Sequence, residues 1–288
     1  MSKDVGQRKV DGNGRLILLP FYLLTFLPFG LLTPWLAMKF KTINSENNPT
    51  FKSFLKLTRT RGIKKHGLAL LSGPKQVKEV LTEFPDRCGS IIFSDRHEPP
   101  YESAPVEIPA YCLKTALFRQ IDIYDTDRPI LTVKIAHLPK LDDRSESSGC
   151  TLCVPFQDPA NVGAVIRSAA AFGVSRVVFL KEAAHPFHHK SLRVAGSSIF
   201  RVLLFEGPSL YDLQPSQVPM LTLSPEGKNI KNFNFPSSFC LVPGLEGPGL
   251  PDHLRKAMAL SIPMERGVES INAAMATGII LYMWKRQL

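Results

Sequence analysis

The sequence predicts an α/β protein built on a mostly parallel sheet. Three observations carry this reading: short apolar segments alternate with helical patterns from about residue 151 to the end, a weaker α/β pattern runs from Arg59 to about residue 138, and a polar, aperiodic stretch, "PKLDDRSESSG" (139–149), separates them. Strands that alternate with helices pair in parallel and are covered on both faces, so their ligands sit beyond the carboxyl ends of the strands. A chain of 288 residues is long enough for two such domains.

In the first half, "GLALLSG" reads as a short apolar strand, "PKQVKEVLTEF" as an amphipathic helix, and "SIIFS" and "PILTVKIAHL" as further strands, while "NSENNPT" reads as loop. In the second half, "TLCVPF", "RVVFL", "VLLF", "PMLTL", "SFCLV" and "LSIPM" read as strands. Residues 161–172 and about 270–286 read as helices. The resulting division is an N-terminal extension over 1–50, a first domain over 51–138, a linker over 139–150 and a second domain over 151–288.

Charge is concentrated. Of a formal net charge of +10, the window Lys39–Lys78 carries +9, with ten Lys or Arg and a single acid, Glu46. Such a block favours a polyanionic partner, nucleic acid or an anionic membrane surface, or else is a solvated face. Five cysteines are too few and too scattered for a disulfide scaffold and fit a reducing, cytoplasmic setting. Cys150 and Cys153 form a lone C-x-x-C inside an apolar run, which reads as a half-buried strand rather than a metal or redox site. Leu16–Met38 is uncharged and long enough to span a bilayer, but Pro20, Pro28 and Pro34 interrupt it. The expectation is an extension outside the folded protein, or a start at Met38, ahead of a membrane anchor.

Four segments could carry chemistry. "FQDPANVGAVIRSAAAFG" (156–173) places Arg167 as the one charged side chain between Pro159 and Ser175, with Gly163, Ala164, Ala170 and Ala171 at helical spacing around it. "CLVPGLEGPGLP" (240–251) has its glycines in the reverse of the dinucleotide-binding order, and Pro248 and Pro251 oppose a helix there. It allows close backbone approach to a ligand, with Glu246 either a contact or a surface charge. "IPMERGVESINAAMATGII" (262–280) ends in a helix whose first turn holds Ser270 and Asn272, suited to capping or to a polar ligand. "HPFHH" (185–189) lacks acidic or thiol partners for a metal and reads as a polar loop able to touch RNA.

In this order, "DPANVGAVIRSAAAFG", "LVPGLEGPGL" and "IPMERGVESINAA" resemble the three signature motifs of the SpoU (TrmH) family, RNA ribose 2′-O-methyltransferases of the SPOUT superfamily. The likeness covers 151–288. Residues 59–138 are more weakly similar to the small ribosomal-protein-like substrate domain that precedes the catalytic domain in many members. The resemblance implies a C-terminal SPOUT α/β domain with a deep trefoil knot, a homodimer, S-adenosyl-L-methionine as cofactor and RNA as substrate. It implies catalytic roles for Arg167, Asn161, Glu246, Ser270 and Asn272, and cofactor contacts near Gly244, Ile262, Met264 and Ile271. Arg59, Arg61, Lys64 and Lys65 would then meet RNA phosphates, and no metal is expected. One position departs from the pattern: Leu245 stands where the family usually has Asn, Ser, Thr or Ala.

Overall fold

The computed structural model describes residues 39–97, 108–135, 137–141, 148–214, 218–245, 250–255 and 257–288. The chain divides into Met1–Met38 and Lys39–Leu288. The first unit, with the apolar stretch 16–38, lies outside the described residues.

Two sheets organise the second unit. The first has five strands: β1 (Phe40–Ile43), β2 (Leu68–Leu71), β3 (Cys88–Ser94), β4 (Ala110–Leu113) and β5 (Ile130–Lys134), in the order β1-β4-β3-β5-β2. β1, β4 and β3 are parallel, whereas β5 runs antiparallel to β3 and β2. Four helices accompany them: α1 (Pro49–Lys56), α2 (Thr60–His66), α3 (Pro74–Glu83) and α4 (Thr115–Ile121). Asn48 starts α1 by accepting from the Thr50 and Phe51 N–H groups, with Pro49 at the first helical position. Phe51, Phe54, Leu57, Leu70, Ile92 and Phe118 form its core. β1 and α1 begin ahead of residue 51, where sequence reading drew the domain boundary. A four-residue strand with three exposed positions, at a sheet edge, leaves almost no hydrophobic pattern to read.

The second sheet has six strands: β6 (Gly149–Val154), β7 (Arg176–Phe179), β8 (Leu203–Glu206), β9 (Met220–Asn229), β10 (Ser238–Val242) and β11 (Met258–Ser261). Their order is β11-β9-β10-β6-β7-β8, and every pairing is parallel. Between them lie α5 (Pro159–Phe172), α6 (His189–Ala195), α7 (Asp252–Arg255) and α8 (Ala273–Lys285). Because all strands point one way, the loops after β6, β7, β10 and β11 gather on a single edge.

The stretch read as a linker is held at its start. Glu206 N–H donates to Pro139 O at 2.9 Å and Leu141 N–H donates to Glu206 O at 3.2 Å, so Pro139–Leu141 lie along β8. The C-x-x-C strand is more deeply buried than alternation suggested. Cys150 and Cys153 are both inaccessible on β6, which has neighbours on both sides, and Cys153 Sγ lies 3.2 Å from Cys240 Sγ on β10.

α5 starts at Asp158, whose carboxylate accepts from the Ala160 N–H at 3.0 Å, and ends at Gly173 in the left-handed region (φ 76°). Its small residues have a use inside the chain. A methyl group at Gly163 would sit 2.4 Å from Ser191 O and 2.8 Å from Val194 Cβ, so glycine lets α6 approach the helix backbone. Gly163→Ala is expected to destabilise the protein by about 2 kcal/mol through overpacking, despite alanine's better helix propensity, as read from chemical denaturation.

Candidate functional site

A cavity of about 560 Å³ opens where the loops after β10 and β11 meet the start of α8. Gly244, Ile262, Met264, Ser270, Ile271 and Asn272 line it, together with Leu223, Ser224 and Pro225 of β9 and Glu269. The four positions that the resemblance assigns to cofactor contact thus surround one space. Its size suits a nucleoside-sized ligand, and its walls are mainly apolar with hydroxyl, amide and backbone groups spaced around them.

The contribution of β9 was missed in the sequence, where the strand was read as ending at Leu223. β9 and β11 pair at Leu221–Met258 and Thr222–Ala259, then resume at Lys228–Leu260 and Asn229–Ser261. Residues 223–227 therefore bulge out of the ladder, and Leu223, Ser224 and Pro225 reach the cavity while Gly227 stays against β11. The Ser224 hydroxyl accepts from the Glu226 N–H at 3.3 Å, and Ser261 Oγ donates to Gly227 O at 2.9 Å. A methyl at Gly227 would lie 2.6 Å from the β11 backbone. The Pro225 and Gly227 pair following the apolar start of the strand was the available signal.

Asn272 joins two of the motifs. Its Oδ1 caps α8 by accepting from the Met275 N–H at 3.1 Å, and its Nδ2 donates to Asn161 Oδ1 at 2.9 Å. Asn161, on the first turn of α5, is only 8 % exposed. The cap falls on Asn272, so α8 begins at Ala273 and not near residue 270, and Ser270 is left free to face the cavity.

Arg167 lies elsewhere. It is exposed on α5, about 9 Å along the helix axis from Asn161, and it is absent from the cavity lining. Among the described residues no ion pair holds it. Beside it, a shallow groove between α5 and α8 is lined by Ala164, Ser168, Phe172, Met275, Gly278 and Tyr282, and shares Asn272 with the cavity. Met275 and Tyr282 are 61 % and 52 % exposed there. Glu246 lies outside the described residues, and the neighbouring Leu245 packs against the core around Cys153, Val178 and Val242.

Arg59, Arg61, Lys64 and Lys65 are all exposed, in and before α2, and none is ion-paired among the described residues. Lys64 nevertheless has an identifiable neighbour in the second half of the chain. Burial, then the charges of Lys64 and His188, push the His185 pKa down to about 4. His189 is lowered to about 4, and His188 is lowered as well, both chiefly by burial. The ring nitrogens explain why neutrality is required: His185 Nδ1 accepts from the Phe187 N–H, and His188 Nδ1 caps α6 by accepting from the Lys190 N–H, each at 3.3 Å. Among the described residues no group of His, Cys, Asp or Glu could hold a metal ion.

Fold and site together define an α/β protein whose second and third motifs meet at a cavity on the carboxyl edge of a parallel sheet, with the first motif joined to them through Asn161 and Asn272. Residues 151–282 match the SpoU rRNA Methylase family, and the chain carries a domain of that family. It is 47 % identical over 254 residues to a protein named ribosomal RNA small subunit methyltransferase G 2 from Syntrophobacter fumaroxidans, covering 87 % of this chain and 51 % of that one, so this chain spans about half of that relative's length. It is 28 % identical over 248 residues to the 23S rRNA (guanosine(2553)-2′-O)-methyltransferase RlmP of Bacillus subtilis, covering 84 % of this chain and 98 % of the relative. The AdoMet complex of the SpoU methyltransferase AviRb from Streptomyces viridochromogenes superposes with a TM-score of 0.71 at 22 % identity, over 83 % of this chain and 98 % of that one. That likeness shows the shared α/β fold with parallel strands. Among the described residues no helix is long and apolar enough to cross a membrane.

Two measurements test this site. Asn272→Ala should cost about 2 kcal/mol, since it loses both the α8 cap and the donor to Asn161. Asn272→Asp should recover only the cap, and urea unfolding of the pair separates the two contributions. The histidines set a pH dependence. Their folded pKa values lie below the unfolded 6.5, so the unfolded chain binds more protons on acidification. Their stabilising effect is complete above pH 6.5 and is lost as pH falls towards 4. Thermal melts across that range should drop, and the drop should flatten in a His185→Asn, His189→Asn variant.

Proposed function

We propose that this protein is an S-adenosylmethionine-dependent RNA methyltransferase that methylates a ribose 2′-hydroxyl, with ribosomal RNA favoured over tRNA as substrate. The observation that carries the reading is the convergence of Gly244, Ile262, Met264 and Ile271, chosen from sequence resemblance, on one cavity of nucleoside size. The name of the B. subtilis relative, which spans nearly the same length, supports the 2′-O position. The names of the solved AdoMet-bound structures support the cofactor.

When bound, S-adenosylmethionine supplies an electrophilic methyl group on a sulfonium. Backbone groups at Gly244, Ile262, Met264 and Ile271 hold its polar atoms, because the apolar side chains there leave the main chain as the available donor and acceptor. Ser270 and Asn272 orient the ribose, and Glu246 acts with them. The hydroxyl oxygen would bond to the methyl carbon as the bond from that carbon to sulfur breaks, the electron pair staying on sulfur and the O–H proton passing to water. Arg167 favours the developing alkoxide by its positive charge and can also grip a flanking phosphate in bidentate fashion. A guanidinium is always protonated, so its contribution is electrostatic rather than that of a base. It gains strength when RNA covers it and excludes water.

Arg167 lies outside its own cavity lining, and the α5–α8 groove beside it is apolar and contiguous with the cavity through Asn272. We read the active form as a homodimer in which a second copy covers this groove and Arg167 serves the partner's cavity. A deep trefoil knot through the motif loops, an RNA-binding role for residues 51–138 and a cytoplasmic location complete the proposal. The second reading is an RNA-binding protein that has kept the fold and lost catalysis; it is favoured by the basic window, and opposed by the retention of Asn161, Arg167, Glu246, Ser270 and Asn272 in the sequence.

The test uses two variants of the full chain. Arg167→Ala should remain folded and bind S-adenosylmethionine in calorimetry, with methyl transfer to total ribosomal RNA reduced at least a hundredfold. Arg167→Lys should rescue little, because lysine lacks the planar fork. Gly244→Val should lose cofactor binding. Mixed dimers of Arg167→Ala with Gly244→Val restore up to a quarter of the activity if the arginine acts across the dimer, and none if it acts within its own chain. Full turnover in Arg167→Ala would remove it from the mechanism.

A further inference from the structure

The "HPFHH" segment has no part in the cavity, yet the fold holds it rigidly beside the motif loops. It follows β7, which neighbours β6, and so emerges on the same edge of the sheet. Ala184 N–H donates to Phe156 O at 2.8 Å, tying the loop after β7 to the loop that opens α5. Phe187 is buried and Ser191 Oγ donates to His185 O at 3.2 Å, while His188 and His189 are half-buried. The spatial order along the edge is thus cavity, Asn161, histidine loop, within about 15 Å at the strand spacing of a sheet.

Flat groups cluster at this point from both halves of the chain. The His188 and His189 rings stack with centroids 4.1 Å apart. Tyr124, in the loop after α4, meets His189 edge-on at 5.7 Å, with its hydroxyl 3.1 Å from Nδ1. The Arg193 guanidinium lies 3.9 Å from the centre of the Tyr124 ring. Exposed Lys190 and Arg193 flank the group, and Lys64 of α2 approaches the same loop near His185. The nearest acid in sequence, Asp125, is exposed and forms no ion pair among the described residues.

Single-stranded RNA is bound by this combination: aromatic, imidazole or guanidinium planes on which unpaired bases stack, with cations for the phosphates between them. Neutral imidazoles suit the task, because they offer a ring face without needing a counter-ion. A purely structural clamp between the two halves would explain Tyr124 and Arg193. It would leave the exposed charge of Lys190 unexplained, and would use His188, whose Nδ1 caps α6, only as a cap although its ring also stacks on His189. We propose that His188, His189, Tyr124 and Arg193 form a stacking platform for an unpaired nucleotide flanking the methylated one, with Lys190 and Lys64 on its phosphates. The proposal rests on RNA being the substrate and adds where the strand leaves the reaction site and in what form.

The experiment measures binding of the full chain to a labelled twelve-nucleotide single-stranded RNA of mixed sequence, and to the same strand in a duplex, by fluorescence anisotropy. His188→Asn keeps a side-chain acceptor to cap α6 and removes the ring. Lys190→Ala alters an exposed side chain only. Melting curves and S-adenosylmethionine calorimetry accompany each variant and should match the wild type. His188→Asn should weaken single-strand binding about tenfold and leave duplex binding little changed. Lys190→Ala should lower the slope of log affinity against log salt by about one unit. Wild-type affinity for the single strand in both variants overturns the platform while leaving the substrate reading intact. Equal loss of single strand and duplex in His188→Asn also overturns it, since that is the behaviour of a general basic face. No RNA binding by the wild type, with cofactor binding intact, overturns the substrate reading and the platform together.

Discussion

The side chain of Asn272 ties together the starts of α5 and α8, two helices that also meet further along at Phe172 and Tyr282. One amide oxygen fixes the start of α8, and the amide nitrogen of the same group holds Asn161, 111 residues earlier, at the start of α5. Both helices start at the carboxyl edge of the sheet, and this contact holds their first turns together. The cavity wall contributed by Ser270 to Ala273 and the groove between α5 and α8 are both bounded by it. An apolar residue could pack there, but it could not satisfy a helix end and a buried amide at once.

The sequence made the centre of the second sheet readable because β6, β7 and β10 are almost wholly buried and appear as continuous apolar runs. The partly exposed β9 and β11 were located over only part of their lengths, while α5 and α8 were placed to within a few residues. The first half was less legible for the same physical reason in reverse. Phe40–Ile43 and Ala110–Leu113 are four-residue strands, and α4 is a seven-residue helix, all too short to establish a period. At the site, Gly244, Ile262, Met264, Ile271, Ser270 and Asn272 were chosen from motif resemblance and do line one space. Ser224 and Pro225 were not, because their contribution comes from an interruption in pairing with β11, and pairing partners are not written in local sequence. The remoteness of Arg167 was also invisible: its helical position was clear, whereas what covers it depends on surfaces rather than on spacing.

Polar and aromatic pairs mark the contact between the two halves. Glu79 accepts from Ser197, Glu83 pairs with Arg201, Phe84 packs on Phe200, and Tyr124 meets His189 and Arg193. Such a seam gives orientation without requiring the apolar surface of either sheet, and it leaves each hydrophobic cluster self-contained.

The interrupted pairing of β9 has a further consequence for how such a protein can change. Hydrogen bonds to β11 are made before residue 223 and after residue 227, so the intervening segment is bracketed on both sides by fixed register. A residue inserted or deleted inside the bracket alters the cavity wall and leaves the alternation of every strand as it was. Elsewhere in a six-stranded parallel sheet, a one-residue slip would turn a buried face outwards. Evolution therefore has, in these five residues, a position where the shape of a binding cavity can vary in length as well as in composition while the sheet beneath it keeps its count.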